Sequence, residues 1–266
     1  MNKILTGIFN REVKIVNGKY LFKEILEDEY NLNLINRIKS KIKGNQKVYR
    51  FFIELFSPVF TYYSNKYLKE FIFENFSDSN KLFLNLGSGN SIIDENVINV
   101  DFFPYKNVNI VCDIDNIPIN DDSIDLISNI AVLEHVPCPE IVVKEIHRIL
   151  KPGGKVYSIV PFIQGFHASP YDFNRRTFEG MKILYKDYDI ETVKCIGGPT
   201  SGVLWILQEW LSILFSFGNA RLHSIVYGIS LILLFPLKFL DFILIHHPLA
   251  KNISSAFLVI ASKKTL

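Results

Sequence analysis

Cysteine is nearly missing from this chain: Cys112, Cys138 and Cys195 are the only three in 266 residues. They are widely spaced and odd in number, so they form neither a disulfide framework nor a metal-ligand spacing, which predicts a reducing, cytoplasmic compartment. An excess of charge of either sign is lacking too, with 29 Lys and Arg against 27 Asp and Glu. That balance argues against a nucleic-acid footprint spread over the surface. The opening stretch, MNKILTGIFNREVK, carries charges too early for a secretory leader, and none is expected. A clean membrane-spanning run is also wanting. The uncharged core Ser224 to Leu237 has about fourteen residues, against the ~20 of a spanning helix. That run already holds Pro236, and extension to Ile245 reaches spanning length only by taking in Lys238 and Asp241.

Aromatic and apolar residues are plentiful, with 22 Phe, 12 Tyr and 48% hydrophobic content, at the upper edge for a soluble protein. The length suits one α/β domain with additions, or two small domains. The informative stretch is Leu82 to Asp101, LFLNLGSGNSIIDENVINVD. Two short apolar runs, each read as a buried parallel strand, end respectively in Gly87-Ser88-Gly89 and in Asp101. Glycines just past a strand let backbone approach a ligand closely. A carboxylate closing the next strand can accept hydrogen bonds from both hydroxyls of a ribose. This is the geometry of a nucleoside-containing cofactor. A dinucleotide is disfavoured, because Ile92 stands where the fingerprint needs its third glycine.

Only seven residues separate Gly89 from Val97, too few for a full crossover helix, so the first crossover should be shrunken to a turn. Ahead of it, residues 1–80 form an N-terminal extension. A hairpin is expected around Asn17-Gly18, then helices over Asp28 to Lys43 and Tyr49 to Phe76. The aromatics of the last helix suit an apron packed on the main domain, or a lid over a pocket. Beyond Val97, strands are read at Val108 to Cys112, Ile124 to Ile130 and Lys155 to Val160. A helix over Pro139 to Leu150 should end at Lys151-Pro152-Gly153-Gly154. Such alternation gives a parallel, doubly wound sheet.

Taken in order, LNLGSG, VD, CDIDNIPINDDSIDLI, SNIAVLEHV and RILKPGGKVYSIVP resemble the class I S-adenosylmethionine-dependent methyltransferases, in their small-molecule, type 11-like branch. The resemblance covers Leu82 to Thr177. It implies a Rossmann-like, seven-stranded, mostly parallel sheet whose last strand, Ala256 to Ser262, is antiparallel. The core would span 81–197, an apolar helical insertion 198–254, and the final strand 255–266. Asn85, Gly87, Ser88, Gly89, Asp101, Phe102, Asp113, Ile114, Asn129 and Ala131 would contact S-adenosylmethionine. The family's usual acidic residue is replaced by Asn85, which cannot offer a carboxylate to the cofactor's ammonium.

The loop PFIQGFHASPYDFNRRTFEGM follows the fifth strand at the ligand-binding edge of such a sheet. His167 is the candidate base for an oxygen nucleophile, with His135 a second candidate. Glu134, Asp172, Arg175 and Arg176 are candidates for substrate binding. Neither Glu134 nor His135 has metal-ligand spacing with another residue along the chain, so no metal is proposed. The expected function is O-methylation of a small-molecule, sugar or lipid-linked acceptor. Its rivals are a non-catalytic partner protein that keeps the fold and an RNA methyltransferase, the latter opposed by the absence of an Asn/Asp-Pro-Pro-aromatic segment. Residues 203–245 would form a cap, a homodimer face or a peripheral contact with the inner face of the membrane.

Overall fold

The computed structural model describes residues 7–23, 55–76, 78, 80–167 and 171–265. Its elements run β1 (Lys14–Val16), β2 (Lys19–Leu21), α1 (Tyr62–Asn75), β3 (Phe83–Leu86), β4 (Ile98–Asp101), β5 (Ile110–Val111) and β6 (Ile124–Ile130). There follow α2 (Pro139–Ile149), β7 (Leu150–Pro161), α3 (Phe178–Leu184), β8 (Tyr188–Gly197), α4 (Pro199–Ser216), α5 (Ala220–Leu234), α6 (Asp241–Leu244) and β9 (Ala256–Lys263).

These strands form one sheet in the order β1-β2-β5-β4-β3-β6-β7-β9-β8. From β5 to β7 every pairing is parallel, whereas β9 inserts antiparallel between β7 and β8. The fold is therefore the Rossmann-like α/β class, with nine strands rather than seven. The two extra strands come from the hairpin. Asn17 and Gly18 both take positive φ, at 50° and 77°, as a two-residue turn that follows strand twist requires. The hairpin does not stand apart: β2 pairs in parallel with β5 and extends the sheet. The helix expected over Asp28 to Lys43 lies outside the described residues. The one expected over Tyr49 to Phe76 is not continuous: residues 49–54 lie outside the described ones, the chain leaves the helix over 57–61 around Pro58, and Tyr62 to Asn75 is helical.

Side chains alternate between the two faces of the sheet. Leu84, Leu86, Val100, Ile127 and Val156 face α2 and α3, whose Val142, Ile146, Ile149 and Met181 close that core. Phe83, Leu126, Tyr157 and Leu258 face α1, which inserts Phe71 among them. Phe71 packs edge-on to Phe83 at 6.0 Å and tilted on Tyr157 at 5.3 Å. The apron reading of this helix therefore holds. It covers sheet surface that the missing first crossover leaves open, since no helix intervenes between β3 and β4.

Helix α2 begins with Pro139 at its first turn, where a missing N–H costs nothing. Its end differs from expectation. The Lys-Pro-Gly-Gly segment is not a loop after the helix: β7 starts at Leu150, already paired with Ile124. Gly153, at φ 76°, sits within the strand, and the register shifts between Ile124 and Leu126.

The insertion between β8 and β9 is a helical hairpin, α4 and α5, followed by a 3-10 stretch over Phe235–Leu240 and the short α6. Asp241, fully buried, returns to the start of α4 and accepts from the backbone N–H of Thr200 and Ser201 at 2.8 Å each, and from the Ser201 hydroxyl at 2.6 Å. A carboxylate at a helix N-terminus satisfies orphan donors and opposes the helix dipole favourably. Buried Lys238 donates to the carbonyls of Leu55 and Ser57, joining the insertion to the segment before α1.

Candidate active site

The C-terminal ends of β3, β4, β5 and β6 open onto a cleft of about 360 Å³, within the range of small-ligand sites, about 300–1,000 Å³. Gly87, Gly89, Asp101, Phe102, Asp113, Ile114, Ala131 and His135 line it, all of them expected site residues. Gly87 has φ +62°, and a Cβ there would lie 2.5 Å from the Val132 side chain. The turn thus both requires a left-handed conformation and leaves no room for a side chain. Ala131 also takes positive φ, 54°, and its N–H donates to the Ile159 carbonyl at 3.0 Å.

Asp101 organises the cleft. Its Oδ2 accepts from the Gly89 N–H at 2.8 Å and its Oδ1 from the Phe103 N–H at 2.9 Å, so one carboxylate fixes both turns. Burial pushes its pKa above the ordinary carboxylate value, opposed by the Phe103 and Gly89 N–H groups.

Three expected cofactor residues lie elsewhere. Asn85 is absent from the lining: its Nδ2 donates to Asn99 Oδ1 at 3.1 Å and its Oδ1 accepts from Ser128 at 3.0 Å. Asn99 in turn donates to the Asn107 carbonyl, completing a polar ladder across β6, β3 and β4. Asn129 is fully buried, with its Oδ1 accepting from Ser158 at 2.6 Å. Ser88 turns inward and its N–H donates to the Val100 carbonyl. Phe103, Tyr105, Val132, Val136 and Tyr171 line the cleft without having been singled out. The aromatic run after Asp101 was the available signal for the first two.

Against the cleft wall sits a charged cluster. Glu134 is fully buried, and neither carboxylate oxygen has a hydrogen-bond partner among the described residues. Its Oε1 lies 3.8 Å from His135 Nε2 and 3.7 Å from His167 Nε2. The two imidazoles meet edge to face at 5.4 Å. His167 is separated from Glu134 by 33 positions along the chain, so spacing does not reveal this trio. The Glu134 carboxylate raises the His167 pKa above the ordinary imidazole value, against the cost of burial.

The substrate-loop residues are mostly committed to one another. Arg175 grips Asp172 with both terminal nitrogens, one at 2.6 Å, and Asp172 also accepts from the His167 backbone N–H at 2.9 Å. The Arg175 guanidinium holds the Asp172 carboxyl down to about 2. Arg176 pairs with Glu140 of α2 at 2.5 Å. None of Asp172, Arg175 and Arg176 lines the cleft; they hold the loop that carries His167. Trp205 of α4 packs on His167 at 5.4 Å between ring centroids, and a Cβ on Gly165 would strike its indole at 2.8 Å. The insertion thereby reaches the site.

Residues 91–158 match a family model described as a methyltransferase domain. No curated protein matches significantly. Solved structures with a similar fold include the [4+2]-cyclase SpnF, 12% identical over 76% of this chain and 82% of that one, with a TM-score of 0.47. Phosphoethanolamine N-methyltransferase 2 of Haemonchus contortus, in complex with S-adenosyl-L-methionine, is 16% identical over 75% of this chain and 53% of that one, at 0.45. Coclaurine N-methyltransferase, bound to N-methylheliamine and S-adenosylhomocysteine, is 12% identical over 74% and 72%, at 0.46. The matched stretch runs through β4, β5, β6, α2 and the first part of β7, and so takes in most of the elements around the cleft. The residues present fit S-adenosylmethionine: a glycine turn with no room for a Cβ, a buried carboxylate beside it, and an aromatic and apolar wall.

Proposed function

We propose that the protein methylates an oxygen of a small or lipid-linked acceptor that approaches from a membrane surface. S-Adenosylmethionine, when bound, supplies an electrophilic methyl group on a sulfonium. Gly87 and Gly89 would let backbone lie beside its methionine portion, Asp101 would hold the ribose hydroxyls and Asp113 would face the adenine. Phe102 and Tyr105 would exclude water from the cleft. Such transfer needs little covalent assistance; alignment alone can supply about 7–11 kcal/mol.

The acceptor must lose a proton, and that task falls to the cluster of Glu134, His135 and His167. The observation that carries this reading is the position of His135, which lines the cleft while contacting the buried Glu134 carboxylate. Support for a greasy acceptor comes from the insertion. Trp210, Ile213, Ile225, Ile229, Leu233 and Ile243 are all exposed on it, while Trp205 of the same hairpin touches the His167 loop. Among the described residues, one stretch, Ala220–Leu244, is long and apolar enough to cross a membrane, and only 17% of its most apolar window is buried. We place the hairpin in the membrane interface on the cytoplasmic side, where an apolar face sinks into the lipid boundary.

The test is release of S-adenosylhomocysteine from S-adenosylmethionine with soluble sugars and phenols in one set, and extracted membrane lipids in vesicles in another. Turnover with the lipid set, lost in Asp101→Ala, supports the reading. Turnover only on soluble acceptors removes the membrane half of it. Cofactor binding without turnover in either set would leave a non-catalytic partner protein as the better description.

A further inference from the structure

We infer that Glu134, His135 and His167 form a binding site for one divalent first-row transition cation, placed to touch the acceptor. The inference builds on the methyl-transfer reading and gives the cluster a specific agent. A fully buried carboxylate with both oxygens unpartnered among the described residues is costly, because its lost hydration is not replaced. Two imidazole nitrogens face it at 3.7 and 3.8 Å, too far for hydrogen bonds. A cation between the three groups would resolve that deficit.

The geometry suits such an ion. One ligand atom from each residue lies within 4.8 Å of the other two. Ligands at about 2.0–2.2 Å from a tetrahedral zinc ion sit roughly 3.4 Å from one another. The observed separations need close by only a few tenths of an ångström for two of the three edges. The imidazoles are also oriented from behind. His135 Nδ1 lies 2.5 Å from the Tyr171 carbonyl oxygen, and His167 Nδ1 lies 3.1 Å from that of Gly165, with Arg175 Nη2 at 3.3 Å. At His167 the Arg175 guanidinium, which can only donate, shares Nδ1 with the Gly165 carbonyl, so the ring is held in place without its tautomer being set. At His135 the Tyr171 carbonyl can only accept, which sets the proton on Nδ1 and turns the Nε2 lone pair toward Glu134. Backing of this kind fixes the tautomer of metal-binding histidines. The backbone of Glu134 is pinned as well, since its carbonyl accepts from the Phe173 N–H at 2.7 Å.

Two imidazoles and one carboxylate favour zinc, manganese, iron or cobalt over magnesium or calcium, which prefer all-oxygen sites. Three protein ligands leave a coordination position open, as catalytic sites do. His135 forms part of the cleft wall, so that position opens toward the bound acceptor. An acceptor hydroxyl there would lose its proton to bulk water more readily. Its oxygen then bonds to the methyl carbon as the bond from that carbon to sulfur breaks, leaving a neutral thioether and a methyl ether.

Chelator-treated full-length protein, titrated with Co²⁺, tests the site. The expected result is a saturable visible absorption band at one ion per chain, displaced by Zn²⁺, with quenching of tryptophan emission through Trp205. Glu134→Gln and His167→Ala should each weaken Co²⁺ binding at least tenfold, while His135→Ala, which alters a partly exposed side chain, guards against loss of fold. An absent band, or one that survives all three substitutions, overturns the inference. S-Adenosylhomocysteine binding, measured by calorimetry on the same samples, separates the two ideas. Binding of S-adenosylhomocysteine with no cobalt band sinks the cation site and leaves the methyl-transfer reading standing.

Discussion

Asp101 carries the most consequence for a single side chain, because it holds two turns and faces the cleft at once. Asp101→Ala should weaken S-adenosylhomocysteine binding by about 1–3 kcal/mol, as for lost charge-assisted hydrogen bonds, and calorimetry at neutral pH measures this. Because burial raises the carboxyl pKa, affinity should fall as pH drops, beginning above the range where an exposed aspartate titrates. Asp172 has the opposite sign. Its pKa is held at about 2 by Arg175, so its contribution to stability is complete above the unfolded value near 4 and is lost as pH falls toward 2. Asp172→Asn should accordingly flatten the acid limb of a pH–melting profile. At this scale the sequence was informative where function lies in backbone turns: Gly87, Gly89 and Asp101 follow strands whose apolar runs announce them. It misled at Asn85, since strand register decides which residues stand beside it, and Asn99 and Ser128 are 14 and 43 positions away.

Among elements, the insertion hairpin depends on its own clasp. Asp241→Ala removes three acceptor interactions at the start of an 18-residue helix. It should lower stability by roughly 1–3 kcal/mol, seen as a lower melting midpoint. It should also raise the protease sensitivity of the hairpin before that of the sheet, and uniform digestion of both would show that the clasp is not local. Gly87→Ala tests the cofactor turn. Its Cβ would meet Val132 at 2.5 Å in a left-handed conformation, a crowding worth about 1–3 kcal/mol, and the measurement is again cofactor affinity. The lack of a first crossover helix was legible from chain length alone. The pairing of the hairpin with β5 was not, because strands of three and two residues joined across some ninety positions leave no local pattern.

For the molecule as a whole, the exposed apolar face of the insertion predicts behaviour at lipid. Replacing Ile225, Ile229 and Ile232 together by Ser should reduce cosedimentation with vesicles severalfold. Cofactor affinity should remain unchanged, since none of the three lines the cleft. Equal cosedimentation of variant and parent would assign that face to something other than lipid. Apolar content of this stretch was plain from composition. Its disposition, with Trp205 inward and Trp210 outward, required the hairpin packing to be known.

The two ends of the insertion meet: the Ser255 N–H donates to the Gly197 carbonyl at 2.9 Å, and the Ser254 hydroxyl bonds to the same oxygen. Some fifty-seven residues therefore leave and rejoin the sheet at one point, as in an exchangeable cassette. Such a layout separates two inheritances. The sheet and its glycine turns can stay constant while the cassette is lengthened, shortened or traded, altering what Trp205 presents to His167 without disturbing the register of β8 and β9.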